Sequence, residues 1–248
     1  MLVINGGMPR SGTVLVGNLV RLMLERRSIA WKRYNPQERR DLPAFLDLVR
    51  RPFDTAVIVH THLVDDEILN ALRTRPDAIL IWNHRDPRDA LVSLRQLHDL
   101  SLDRAFEAMQ VYCAATEIAH TSAICHRIAY EALVDDLPGY ISSLSDALDF
   151  TLEEGEIDSL LQQTSPEAHV RIMNALSTGT QKGARVMQTK HRMMREEPTT
   201  LINDRHIQSG KSGRWRRELT QQDQQQVSDV LSRWVGMLGY DHEDATGS

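Results

Sequence analysis

Cysteine is scarce in this sequence: Cys113 and Cys125 are the only two, and they form no CxxC pair. That scarcity argues against both a disulfide framework and a cysteine-ligated zinc site. No stretch of about 18 apolar residues occurs, so no membrane span is expected. The first residues, Met1-Leu-Val-Ile-Asn-Gly6, lack the basic and long apolar regions of a secretory leader, and the expected location is reducing and cytoplasmic. Aromatic residues are only 5% of the chain, four of them Phe, which leaves little material for a ring-lined binding slot. Long Gly, Ser, Gln or Pro tracts are missing as well, and the hydrophobic share of 41% and charged share of 25% are globular values. For 248 residues this predicts one domain, 1–248, with a sizeable core.

A general excess of positive charge is also lacking. The net charge of −5 excludes the basic surface that binds nucleic acid through its phosphates. The charge is nevertheless uneven. Between Lys182 and Arg217 there are ten Lys or Arg and three acids, a local +7, which leaves −12 for the remainder. Such a window is either a solvated charged face or a site for a small polyanion.

The apolar pattern gives the fold class. Leu2 to Asn5 reads as a strand that ends in Gly6-Gly7, and Leu15, Val16, Leu19, Val20, Leu22 and Met23 then recur at helical spacing. The runs 56–60 and 78–83 are short and not alternating, as in strands buried on both faces of a parallel sheet. Asp86 followed by Pro87 and Asp89 marks a helix start. Residues 102–126 read as one long helix, 126–130 as a last strand, and 138–150 and 221–238 as helices. The predicted class is α/β, a central parallel sheet flanked by helices in the manner of P-loop nucleotide triphosphatases.

Gly7-Met-Pro-Arg-Ser-Gly12-Thr-Val lies between the first strand and its helix. Glycines five apart at this junction let backbone N–H groups curl round a phosphate in the field of the helix N-terminus, although Gly also serves in plain tight turns. Magnesium–nucleotide chemistry would need Lys-Ser or Lys-Thr after the second glycine. Thr13 and Val14 stand there instead. The loop therefore suits one phosphate group without a metal, and Arg10 is its cation.

The segment Pro9-Arg-Ser-Gly-Thr13 resembles the 5′-phosphosulfate loop of sulfotransferases that use 3′-phosphoadenosine 5′-phosphosulfate (PAPS). Further motifs follow in that family's order. Arg85-Asp-Pro-Arg-Asp-Ala-Leu-Val-Ser93 is similar to the segment whose Arg and Ser hold the 3′-phosphate, a sensible use of a guanidinium fork and a hydroxyl; taken alone, Arg85 would simply pair with Asp86 or Asp89. Val59-His60-Thr61-His62-Leu63 resembles the Lys-Thr-His-Leu segment, which gives His62 the place of the catalytic base and puts His60 where a Lys is usual. Tyr130-Glu131 with Leu133 resembles the segment whose Tyr approaches adenine, and equally suits a strand-to-helix capping pair. Gly210-Lys-Ser-Gly213-Arg-Trp215 resembles the C-terminal loop round the 3′-phosphate, with Gln208-Ser209 in place of Arg-Lys. Cationic help there falls to Arg205, Lys211 or Arg214.

The resemblance implies a single sulfotransferase domain that moves the sulfuryl group of PAPS to an acceptor hydroxyl and needs no metal. The implied catalytic residues are His62 and Arg10. The implied nucleotide-binding residues are Arg10, Ser11, Gly12, Thr13, Val14, Arg85, Ser93, Tyr130, Gln208, Ser209 and Gly210. A P-loop kinase or nucleotide hydrolase shares strand, loop and helix but requires the missing Lys. A non-catalytic nucleotide-binding scaffold would explain Val14, His60 and Gln208-Ser209. Small-molecule sulfotransferases usually carry a few dozen residues ahead of the loop that wall the acceptor pocket. With the first strand starting at residue 2, a more open site is expected, and with few rings the expected acceptor is a small molecule or glycan bearing a sugar hydroxyl.

Overall fold

The computed structural model describes residues 1–36, 38–188, 193–204 and 212–240. In chain order its elements begin with β1 (Leu2–Gly7), α1 (Thr13–Arg26), β2 (Trp31–Tyr34), α2 (Leu42–Val49), β3 (Ala56–Thr61), α3 (Asp66–Arg73), β4 (Ala78–His84) and α4 (Pro87–His98). Then come α5 (Leu102–His120), β5 (Cys125–Ala129), α6 (Tyr130–Asp135), α7 (Leu137–Ala147), α8 (Glu156–Gln163) and α9 (Pro166–Ser177). The chain continues with β6 (Arg185–Gln188), β7 (Met193–Glu197), β8 (Ile202–Asn203), α10 (Arg214–Glu218) and α11 (Gln221–Met237). Among the described residues, no helix is long and apolar enough to cross a membrane.

Five strands form a parallel sheet in the order β2-β3-β1-β4-β5, with Ile4 of β1 opposite Val59 on one side and Leu80 on the other. The short apolar runs are buried on both faces because successive side chains alternate. Val3, Ile58 and Ile81 pack with Val16, Leu19 and Met23 of α1 and Leu144 of α7. Leu2, Ile4, Val57, Val59, Leu80 and Trp82 pack with Phe45, Leu69, Leu72 and Ala115 on the opposite face. Each fully buried Leu or Ile contributes about 1.5–3 kcal/mol. A third cluster joins α4 and α5 to Trp215, Val227 and Leu231.

After β3 the chain crosses over β1 to form β4, so strand order reverses beside β1. In parallel sheets that reversal opens a crevice at the C-terminal strand ends. Here it brings together the ends of β3, β1 and β4, where three of the sequence motifs lie.

Two boundaries differ from the sequence reading. The helix expected over 102–126 ends at His120, and Cys125 begins β5. Thr121 turns its hydroxyl back onto the Ile118 carbonyl at 2.7 Å, a side-chain bond that competes with helix continuation. The helix expected to reach 150 stops at Ala147, and Asp149 takes a left-handed φ of 57°. A second, antiparallel sheet of β6, β7 and β8 lies inside the basic window, where only charge was read. Both thiols are free, and burial pushes each up to about 12.

Candidate active site

The loop between β1 and α1 has its conformation dictated by glycine at two points. Gly7 holds φ +147°, and a Cβ there would stand 2.1 Å from the Asn83 carbonyl oxygen of β4. Gly12 holds φ +89°, and its Cβ would meet Leu133 at 2.8 Å. Beneath the loop, Asn5, fully buried, donates to the Thr13 carbonyl at 2.7 Å and accepts from Asn83 at 3.2 Å. The Ser11 hydroxyl donates to the Met8 carbonyl at 2.6 Å and lies 3.1 Å from that of Asn83. Ser11, expected at the nucleotide, thus uses its side chain to brace the loop. No side chain caps α1, so its first-turn N–H groups and the positive end of its dipole open onto the site.

Arg10 adopts φ 69°, the left-handed region that a non-glycine residue enters only at a cost, and its Nε donates to the Ser93 hydroxyl at 3.0 Å. This bond ties the first motif to α4. Burial, together with the neighbouring charges of Arg85 and Arg214 and against that of Tyr130, lowers the Arg10 pKa to about 10. The cations repel one another, and a bound anion would relieve that repulsion.

Arg85, 3% exposed, does pair with Asp89, at 3.3 Å. Its guanidinium also stacks 4.3 Å from the centre of the Tyr130 ring, and that ring also lies close to Gly12, so Tyr130 stands between the β1–α1 loop and Arg85 rather than acting only as a helix start. Asp86 caps α4 through the Arg88 N–H at 2.9 Å and binds the Arg88 side chain at 2.8 Å. Asp89, fully buried, is the residue that the sequence reading missed. It accepts from the N–H of Gly213 at 2.7 Å and of Trp215 at 3.0 Å and so clips the end of the C-terminal loop to α4. Its spacing of four from Arg85 was the available signal. Gln208, Ser209 and Gly210, with Arg205 and Lys211, lie outside the described residues.

His62 follows β3. Its Nδ1 donates to the Gly7 carbonyl at 2.7 Å, which leaves Nε2 as the acceptor nitrogen. Burial lowers the His62 pKa, the Gly7 bond opposes this, and the charges of Arg10 and His98 add to the lowering. The ring stands edge-on to Tyr112, centroids 5.8 Å apart, and to His60 at 5.4 Å. His60, 6% exposed, lies 3.5 Å from the Asn5 amide.

A cavity of about 320 Å³ gathers these parts. Its lining includes Pro9, Arg10, Gly12, Thr13 and Val14 of the loop and α1, His60, His62, His98 and Tyr112, and Met194, Glu196, Leu201 and Asn203 in and beside the second sheet. The donor set at one end suits an oxyanion, and an unprotonated imidazole lies at the same cavity.

Comparison with known proteins agrees with that chemistry. The model of a family described as the sulfotransferase family matches residues 44–154, the stretch that holds the His62 and Arg85 motifs. Two solved structures share the fold of this chain. Retinol dehydratase, in a complex with retinol and PAP, is 18% identical, with 94% of this chain and 81% of that one covered and a TM-score of 0.62. Mouse sulfotransferase SULT7A1 complexed with PAP is 15% identical, with 94% and 84% covered and a TM-score of 0.63. No curated protein matches the sequence significantly.

Proposed function

We propose that this chain transfers the sulfuryl group of PAPS to a hydroxyl of a sugar, glycan or glycolipid, with His62 as general base. The observation that carries the reading is the His62 ring, held through Nδ1 on the Gly7 carbonyl at 2.7 Å, on the wall of the cavity that also holds Arg10 and the first turn of α1. As the acceptor oxygen attacks sulfur, Nε2 takes its proton. The bond from sulfur to the 5′-phosphate oxygen breaks in line, and 3′-phosphoadenosine 5′-phosphate (PAP) leaves. Arg10 and the N–H groups at Thr13 and Val14 stabilise the charge growing on the departing oxygen, a preorganised effect that commonly dominates such transfers. Arg85 and Ser93, with Gln208, Ser209 and Gly210, bind the 3′-phosphate, and Tyr130 meets the adenine. The sulfotransferase match and the PAP complexes of two proteins of this fold support the donor. A polar acceptor is supported by the cavity wall, where Tyr112 is the one Phe, Tyr or Trp among the described lining residues.

Calorimetry tests the nucleotide end. Arg85→Ala is expected to weaken PAP binding by about 10- to 100-fold, as loss of a hydrogen bond to a charged group does, with adenosine 5′-phosphate nearly unaffected. Equal losses would reduce Arg85 to the ion-pair partner of Asp89. Turnover is expected to survive EDTA, since Thr13 and Val14 occupy the places of the Lys and hydroxyl that serve a metal–nucleotide site. Activity that EDTA abolishes and magnesium restores would favour a kinase-like reaction.

A further inference from the structure

The cavity lining also holds polar residues that neither the transfer step nor the nucleotide uses. Glu196 of β7 is 8% exposed and Asn203 of β8 is 8% exposed. They are opposite one another in the β7–β8 ladder and line the same cavity as Asn35 and His62. A carboxylate is costly to bury unless it gains hydrogen bonds or a counter-charge. Arg33 and Arg185 supply part of the charge, while burial together with Glu197 raises the Glu196 pKa. With those arginines already acting on Glu196, and Arg10 lining the same cavity, a cationic ligand is disfavoured there. A neutral donor such as a hydroxyl is the group the carboxylate lacks.

The geometry points to Glu196, opposite Asn203 in the β7–β8 ladder, as the acceptor-specificity residue of the cavity: it receives a hydroxyl of a polyhydroxylated acceptor while another hydroxyl of the same molecule is delivered to His62. The carboxylate accepts from a hydroxyl and gives little to an apolar ring. A site built to bond a hydroxyl also rejects analogues that lack it, because its own buried polar groups are left unpaired. This inference rests on the proposed transfer reaction and adds the residue that selects the acceptor.

The test uses the full chain saturated with PAP, with binding read by saturation-transfer NMR. The probes are the methyl glycosides of glucose, galactose and mannose, and cyclohexylmethanol as an alcohol of similar size with one hydroxyl. The wild type is expected to bind at least one glycoside more tightly than cyclohexylmethanol. Glu196→Leu is expected to weaken that glycoside by about 10- to 100-fold, and Glu196→Gln, which keeps the shape and one acceptor oxygen, by less. PAP affinity, measured by calorimetry, is expected to be unchanged in both, which also verifies that they fold. A wild type that binds PAP but no glycoside, or a Glu196→Leu variant that keeps its glycoside affinity or loses both probe classes equally, overturns the inference and leaves the transfer reaction standing. If the wild type fails to bind PAP, the transfer reading falls and this inference with it.

Discussion

Replacing His62 by Ala is expected to lower kcat by about 10²- to 10⁴-fold, the usual contribution of a positioned base, with PAP affinity almost unchanged. The expectation follows from tautomer and place. Nδ1 is committed to the Gly7 carbonyl, so Nε2 is the nitrogen left to accept a proton, and the ring lines the cavity next to the loop rather than taking part in it. The pH profile carries the same signature. Because burial, with Arg10 and His98, lowers the His62 pKa, the base stays neutral to below the ordinary imidazole value near 6.5. Activity should therefore hold through pH 6.5 and fall only at lower pH. His60→Ala is expected to cost less, since His60 is packed beside the Asn5 amide. If His60→Ala is inactive while His62→Ala turns over normally, the two histidines have exchanged roles.

Asp89→Ala is expected to be the most damaging change outside the cavity. Its carboxylate, fully buried, receives the Gly213 and Trp215 N–H groups and the Arg85 guanidinium. Removal strands two N–H groups and one buried cation, and breaking a buried charge pair in this way typically costs about 3–5 kcal/mol. For a chain of this size each kcal/mol lowers Tm by about 2–4 °C, so a loss of about 6–20 °C is expected by calorimetric scan. PAP affinity should fall in the same variant, because the C-terminal loop is no longer clipped to α4. Asp89→Asn keeps an acceptor for one N–H and is expected to lie between. A variant that melts with the wild type would show that the loop is held elsewhere.

The central sheet was legible in the sequence because each of its inner strands is an unbroken apolar run, which is what burial on both faces requires. The α4 start was legible because Asp86, Pro87 and Asp89 are local signals, and the cap is present. The tight loop between β1 and α1 was legible because Gly7 and Gly12 satisfy backbone demands that other residues cannot meet. What was not legible depends on long-range packing. β2, Trp-Lys-Arg-Tyr, is an edge strand without apolar alternation. β7, Met-Met-Arg-Glu-Glu, turns Met194 and Glu196 inward, and an inward Glu hides the period of two. Asp89 looked like half of a local ion pair, whereas its main partners are more than 120 residues away. The Ser93 hydroxyl accepts from Arg10 and keeps its own O–H to donate. Spacing along a helix could not reveal a bond to a different loop.

The most direct test is transfer of label from [35S]PAPS to a pool of carbohydrate and small-alcohol acceptors, with PAP release followed in the same reaction. The account predicts labelled product and PAP in equal amounts, both dependent on acceptor, unaffected by EDTA and reduced by about 10²-fold or more in His62→Ala. PAP binding by a protein that forms no labelled product with any acceptor would contradict it and leave a nucleotide-binding scaffold.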